Sequence, residues 1–236
     1  MPQPYPEITS YHMQNNTGFF PPTDECLDAF AREYITVFRL SDIMGVWLIA
    51  GEDRFIQEQC PSAALVIGGD LSSPYFFNPP WSDALRGKRV LVIHPFAESI
   101  SEQYSRNRER LWADPDVLPA FDLQVIAAVQ SIAGEPTGFA TWFDALKYMK
   151  GEMNARDFDV CLVGAGAYGP PLAAHAKNFG RKGVVLGGAT QILFGIRGKR
   201  WDEREDFVGL FNDYWVRPKP SEVPRNVNTV EDGCYW

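Results

Sequence analysis

From residue 88 onward, short apolar segments alternate with longer segments whose apolar residues recur at helical spacing. The apolar segments at residues 89–93, 123–129, 158–163 and 183–186 have the length of buried strands. The segments at residues 99–112, 138–153 and 170–179 are predicted helices. Strands that are apolar throughout and alternate with helices are typical of a parallel sheet covered on both sides. The pattern therefore predicts an α/β fold: a Rossmann-like, doubly wound, mostly parallel sheet with helices on both faces.

The predicted helix at residues 138–153 is clearly amphipathic. Its apolar residues fall near one face: Phe139, Phe143, Leu146, Met149 and Met153. Upstream, a helix is predicted from Thr23 onward, and residues 43–49 form an apolar run that we interpret as a buried strand. We expect an N-terminal extension at 1–22, a single Rossmann-like domain at 23–215, and a C-terminal tail at 216–236 that packs on the domain.

Composition supports a folded chain and narrows its partners. The 236 residues are 45% hydrophobic, enough to bury a core, and the formal net charge is -8. An acidic balance disfavours nucleic acid as a partner. No apolar run has the roughly 18 residues of a transmembrane segment, and the start lacks the order of a secretory signal. We therefore expect a cytoplasmic protein without a transmembrane segment, with its scattered cysteines reduced; the oligomeric state stays open.

The glycine-rich string after the third predicted strand of the alternating region is the first candidate site. Ligands of open parallel sheets bind beyond the carboxyl ends of the strands. Residues 164–169 match the spacing GxGxxG through Gly164, Gly166 and Gly169, with Tyr168 inside the motif. A dinucleotide fold places an acid about 20 residues further on, and none is found there, so NAD is not expected. Phosphate or diphosphate binding and a purely structural turn both stay open.

A second small-residue turn follows the last predicted strand. Gly187, Gly188, Thr190 and Gln191 belong to this turn, whose backbone N–H groups can face an anion. The basic residues Arg197 and Lys199 come shortly afterwards and are candidates to neutralise a diphosphate. The alternative is an ordinary solvated basic surface.

The exit of the first strand in the alternating region holds the candidate catalytic groups. His94 has an ordinary pKa near neutrality and is a candidate general base, and Glu98 is a nearby carboxylate that can orient an acceptor hydroxyl. A structural histidine and a helix-capping glutamate are the alternatives. The acidic pairs Asp114/Asp116 and Asp157/Asp159 invite a metal hypothesis, but their predicted positions do not favour it. No metal ligand is assigned, and Mn or Mg stays a candidate cofactor.

Several strings of this chain resemble those of a group of bacterial proteins from surface-polysaccharide gene clusters, which is similar to GT-D-type glycosyltransferases. The strings are NNTGFFP (15–21), VLVIHPFAESI (90–100), VQSIAG (129–134), GAGAYG (164–169), LGGATQILFG (186–195) and EDGCYW (231–236).

The resemblance spans roughly residues 15–236. It implies a Rossmann-like protein that binds a nucleotide-sugar and transfers the sugar to a glycan or lipid-linked acceptor. The acidic DxE-type motif of such enzymes has no counterpart here beyond a faint echo at residues 39–42. Whether the chain is an enzyme therefore stays open, and a non-catalytic nucleotide- or glycan-binding partner is the alternative.

Overall fold

The computed structural model describes residues 4–236. Its strands are β1 (Ile43–Val46), β2 (Ala64–Ile67), β3 (Arg89–His94), β4 (Asp122–Ala127), β5 (Val160–Val163) and β6 (Lys182–Val185). Its helices are α1 (Glu7–Asn15), α2 (Asp24–Phe38), α3 (Glu52–Gln59), α4 (Gly68–Ser72), α5 (Ala97–Leu111), α6 (Trp142–Asn154), α7 (Gly169–Asn178), α8 (Ala189–Leu193), α9 (Lys199–Asp202) and α10 (Glu205–Val208). No helix within this part of the chain is long and apolar enough to cross a membrane.

The main sheet has four parallel strands in the order β4-β3-β5-β6. The chain passes from β3 to β4 on one side and then crosses to β5 on the other side of β3. Strand order therefore reverses between β3 and β5, which is the topological switch point where such sheets bind ligands. The predicted Rossmann-like α/β fold is confirmed.

Helices cover both faces of the main sheet. Successive side chains of β3 point to opposite faces: Val90 and Val92 join one core cluster, while Leu91 and Ile93 join the other. Residues of α5 and α8 pack in the first cluster, and residues of α6 and α7 pack in the second. Because both faces are covered, β3 and β5 are apolar nearly throughout, and this is the pattern that predicted them.

Helix α6 begins later than its predicted start at residue 138. Thr141 accepts the N–H of Asp144 at 3.1 Å, and the Asp144 carboxylate accepts the Thr141 N–H, which forms a capping box. Trp142 and Ala145 are buried on this helix together with Leu146, Met149 and Met153. Phe139 therefore precedes the helix, and the apolar face is centred differently from the predicted one.

The predicted buried strand at residues 43–49 is the clearest error in the fold prediction. The strand β1 ends at Val46, and it pairs in parallel only with β2, a strand that the sequence did not predict. Trp47, Leu48 and Ile49 follow as an exposed tip, with Leu48 in the left-handed region at φ 58°. An apolar run alone did not reveal that this segment is only partly covered, by the short helix α4.

The two ends of the chain meet on the domain. The Asn15 side chain at the end of α1 donates to the Thr229 carbonyl at 2.8 Å. Within the predicted tail at 216–236, Glu222, Val230 and Cys234 are buried. Residues 1–3 of the predicted extension lie outside the described residues, and the division into extension, domain and tail stays a prediction.

Candidate functional site

A cavity of about 150 Å³ lies at the switch point of the main sheet. We call it the switch-point pocket. The segments that follow all four strands of the main sheet contribute to its wall, and residues near both ends of the chain complete it. Its lining residues are Asn16, Thr17, His94, Pro95, Phe96, Val129, Gln130, Ser131, Ile132, Gly164, Ala165, Gly166, Tyr168, Gly187, Gly188, Gln191, Tyr235 and Trp236.

His94, the last residue of β3, is buried in this wall. The Phe96 N–H donates to His94 Nδ1 at 2.9 Å, so the neutral ring carries its proton on Nε2. Burial lowers the pKa of His94 to about 3, and the ring is uncharged at neutral pH. His94 therefore offers the pocket a hydrogen-bond donor. Its predicted role as a general base stays a prediction that this geometry does not favour.

Gly164 lets the His94 ring lie directly against the start of the β5 exit. A Cβ atom at Gly164 would come within 2.5 Å of His94 Cδ2 and within 2.6 Å of both the Gly187 carbonyl oxygen and Thr190 Oγ1. Any side chain at this position would push the exits of β3, β5 and β6 apart. The first glycine of the predicted motif is thus required by packing at the pocket wall.

Gln191 brings an unused acceptor to the pocket. Its Nε2 donates to the carbonyl oxygens of Tyr235 at 3.0 Å and Ile196 at 3.3 Å. Its Oε1 is buried and has no hydrogen-bond partner among the described residues. The neighbouring Thr190 Oγ1 is also buried without a partner in residues 4–236, but Thr190 does not line the pocket.

The remaining glycines of the two predicted turns divide by role. Gly166 and Gly187 line the pocket with positive φ angles of 51° and 56°, which favour glycine. Gly188 allows Tyr235 to approach, since a Cβ there would lie 2.5 Å from the tyrosine ring. Gly169 instead begins α7 and packs on β6, because its Cβ would meet Val185 Cγ1 at 2.9 Å.

Aromatic side chains supply much of the pocket surface: Phe96, Tyr168, Tyr235 and Trp236. The Tyr168 ring stacks on Trp142, with ring centroids 5.0 Å apart and planes 10° apart. Burial raises the pKa of Tyr168 to about 12, so its hydroxyl stays protonated. Its oxygen lies 3.4 Å from Ser131 Oγ.

Five predicted site residues do not line the pocket: Gly169, Thr190 and three charged residues. Arg197 pairs with Asp202 at 3.1 Å, and Lys199 Nζ donates to the Asp232 carbonyl at 3.1 Å. The Glu98 carboxylate is exposed and faces Lys219 Nζ at 3.4 Å. These three charges are therefore engaged with partners outside the pocket.

The N-terminus of α5, next to the β3 exit, is occupied by a carboxylate of the chain itself. Glu222 is buried and accepts the N–H groups of Glu98 at 2.8 Å and Ser99 at 3.1 Å. It also accepts the Ser99 hydroxyl and the Lys219 N–H. A helix N-terminus after the first strand is where nucleotide-binding sheets commonly hold phosphate. In this protein Glu222 takes that position.

The acidic pairs considered for metal binding are engaged elsewhere. Asp157 and Asp159 pair with Arg89 at the amino end of β3, and Arg89 holds the pKa of Asp159 well below its usual range. Asp116 pairs with Arg86. Within residues 4–236, no group of three or more His, Cys, Asp or Glu side chains is placed to hold a metal ion. The candidate Mn or Mg cofactor stays a prediction without assigned ligands.

Sequence reasoning missed part of the pocket wall. Gln130 and Ser131 directly follow a predicted strand, so the sequence could place them at this edge of the sheet, but nothing in the sequence indicated a role for them. Thr17, Tyr235 and Trp236 reach the pocket through long-range contacts for which the local pattern gives no signal.

No protein-family model, curated protein or solved structure matches this chain. The resemblance to GT-D-type glycosyltransferases therefore stays an expectation.

Proposed function

We propose that this chain is a glycosyltransferase-like protein of surface-polysaccharide biosynthesis that binds a nucleotide-sugar at the switch-point pocket. The observation that carries the proposal is that residues from separate predicted turns meet at one cavity. Most of the residues nominated for donor binding surround one cavity at the edge of the sheet where ligands of such folds bind: Gly164, Gly166, Tyr168, Gly187, Gly188 and Gln191.

The size of the cavity indicates how such a ligand would sit. Sites for drug-sized ligands commonly measure about 300–1,000 Å³, whereas this cavity measures about 150 Å³. A nucleotide-sugar therefore places one of its rings inside and keeps the rest at the rim. Among the described residues, the backbone N–H groups of Gly166 and Gly188 have no hydrogen-bond acceptor, so they are free to receive diphosphate oxygens there.

A non-catalytic nucleotide- or glycan-binding partner is the second candidate. The observation that favours it is the chemistry of the lining, which includes no Asp, Glu, Lys or Arg side chain within residues 4–236. Sugar transfer to a hydroxyl is helped by a base for the acceptor proton and by stabilisation of the leaving diphosphate. In the transferase, these groups would have to come from the acceptor side, from a metal or from a partner.

Thermal-shift titration with UDP-, GDP- and CMP-sugars, with and without Mn, tests the binding proposal. A ligand that binds only the folded chain raises its stability by about 2.7 kcal/mol at a hundredfold excess over Kd. We expect a shift selective for one nucleotide-sugar. The Gly188→Ala variant should reduce it, because the new methyl group displaces the Tyr235 ring, which lines the pocket.

Gly151→Ala is the matched control, since Gly151 lies on an exposed part of α6 with open space around it. It should bind like the unmodified chain. Absence of a shift with every nucleotide-sugar would contradict the proposal. Release of free nucleotide from the bound donor favours the transferase, and binding without turnover favours the non-catalytic partner.

A further inference from the structure

The side-chain amide of Gln191 has a fixed orientation in the pocket wall. Its Nε2 donates to the carbonyl oxygens of Tyr235 and Ile196. Rotating the amide by half a turn would place Oε1 against those two carbonyl oxygens, which are acceptors themselves. Oε1 is therefore held as a buried acceptor that no described protein group satisfies.

His94 presents the complementary group to the same cavity. Its Nδ1 is occupied by the Phe96 N–H, so Nε2–H is the group available to a ligand. Among the described residues, Nε2 makes no hydrogen bond with the protein. The pocket thus contains one unused donor and one unused acceptor, both on side chains that packing and hydrogen bonds hold in place.

The Gln191 acceptor does not suit a phosphate in the interior, although the His94 donor alone would donate to one. Phosphate oxygens at neutral pH are mainly acceptors, so they would repel Gln191 Oε1. No cationic side chain of residues 4–236 lines the cavity, and Glu222 already occupies the N-terminus of α5. An anion inside the pocket would lose hydration without a compensating charge.

We propose that the interior of the switch-point pocket binds an uncharged ring that gives a hydrogen-bond donor to Gln191 Oε1 and an acceptor to His94 Nε2–H. This inference rests on the proposed function, because a nucleotide-sugar carries such rings in its transferred sugar and in its nucleoside. Phosphates then stay outside, at the N–H groups of Gly166 and Gly188. The aromatic walls, among them Phe96 and Trp236, cover the faces of the ring.

Uncharged probes test the proposal and separate the two sources of the ring. The unmodified chain is titrated by calorimetry with the common hexoses, the N-acetylhexosamines, the ribonucleosides and inorganic pyrophosphate. We expect binding by a member of one neutral class and none by pyrophosphate alone. If every neutral ring fails to bind, or if pyrophosphate competes with the bound ring, the proposal is overturned.

The bound ring is then compared with an analogue that lacks its donor, a deoxy sugar or an N-methylated base. The analogue should bind the unmodified chain about tenfold to a hundredfold more weakly, because Gln191 Oε1 is again left unpaired. In Gln191→Met the difference between ring and analogue should vanish. A difference that persists in this variant contradicts the role of Gln191.

Thr190→Val is the matched control for this comparison. It removes the neighbouring buried hydroxyl, which also lacks a partner among the described residues but does not line the pocket. It should keep the full discrimination between ring and analogue. If Gln191→Met does not fold, the unmodified chain still tests the proposal: the analogue should bind it more weakly than the ring, and equal affinities would contradict the proposal. Binding of a neutral ring without binding of any nucleotide-sugar would refute the proposed function and leave this inference standing.

Discussion

The protein contains two parallel sheets whose strands are similarly apolar but whose surroundings differ. All four residues of β5 are buried, and β3 is buried from Val90 to its end. In β2, by contrast, Leu65 is 56% exposed and Ile67 is 52% exposed. The main sheet has helices on both faces, whereas the β1–β2 pair leaves apolar side chains open to solvent. An apolar segment therefore identifies a strand more reliably than it identifies burial.

Of the two sheets, only the covered one contributes to the pocket. Every strand of the main sheet leads into a segment that lines the pocket, and no residue of the β1–β2 pair does so. Helices pack on both faces of the main sheet and hold the strand ends in place. The glycine turns and His94 follow from these strand ends, so their relative positions are held as well. The rigid sheet carries the site, and the partly exposed pair carries none of it.

The largest expected effect is a difference in stability between truncations in the two sheets. Leu91→Ala removes a fully buried side chain from β3 and should lower the free energy of unfolding by about 2–5 kcal/mol. Leu65→Ala in β2 should cost less than about 1 kcal/mol, because most of its side chain is already in water. Urea unfolding of both variants measures the difference. Equal losses would show that the β1–β2 pair contributes as much to the free energy of unfolding as the main sheet does, contrary to the exposure of its side chains.

The buried imidazole at the end of β3 predicts a pH dependence of stability. His94 has a folded-state pKa of about 3 against 6.5 in the unfolded chain, so the unfolded state binds more protons between these values. Its stabilising contribution is complete above pH 6.5 and falls as the pH drops toward 3. Between pH 7 and pH 5 the loss should be roughly 2 kcal/mol.

His94→Gln should remove most of this slope, since glutamine can accept the Phe96 N–H without titrating. His175→Gln is the comparison: burial and the nearby Lys150 lower the pKa of His175 in the same direction, but His175 is only partly buried, so this variant should remove less of the slope than His94→Gln. Urea unfolding at each pH provides the measurement. An unchanged slope in His94→Gln would contradict the buried neutral ring.

The smallest expected effect concerns the exposed tip after β1. Leu48 is 83% exposed and has a φ of 58°, a conformation that costs a side-chain-bearing residue energy. Leu48→Gly should therefore raise the free energy of unfolding by about 0.5–1 kcal/mol, net of the greater freedom of glycine in the unfolded chain. Thermal and urea unfolding measure this gain. A loss of stability would mean that the tip packs more firmly than its exposure indicates.

The sequence predicted the parts of this protein that depend on local pattern. Continuous apolar runs located β3 and β5, and the glycine spacing located two of the turns at the pocket. The roles of Glu222, Lys199 and Trp236 were not predictable, because contacts between segments far apart in sequence determine them. Thr141, the N-cap of α6, is an intermediate case: its capping box with Asp144 is a local signal, but the amphipathic pattern placed the start of the helix earlier.

The imidazole nitrogen spectrum of His94 tests most directly that the switch-point pocket binds a nucleotide-sugar through one of its uncharged rings. The chain has three histidines, so His94→Gln assigns the signal. We predict a neutral ring with its proton on Nε2 at pH 7, unchanged at pH 5, and a shift of the Nε2 signal on addition of one of the UDP-, GDP- or CMP-sugars. A ring that titrates near pH 6.5, or one that no nucleotide-sugar perturbs, would contradict the account.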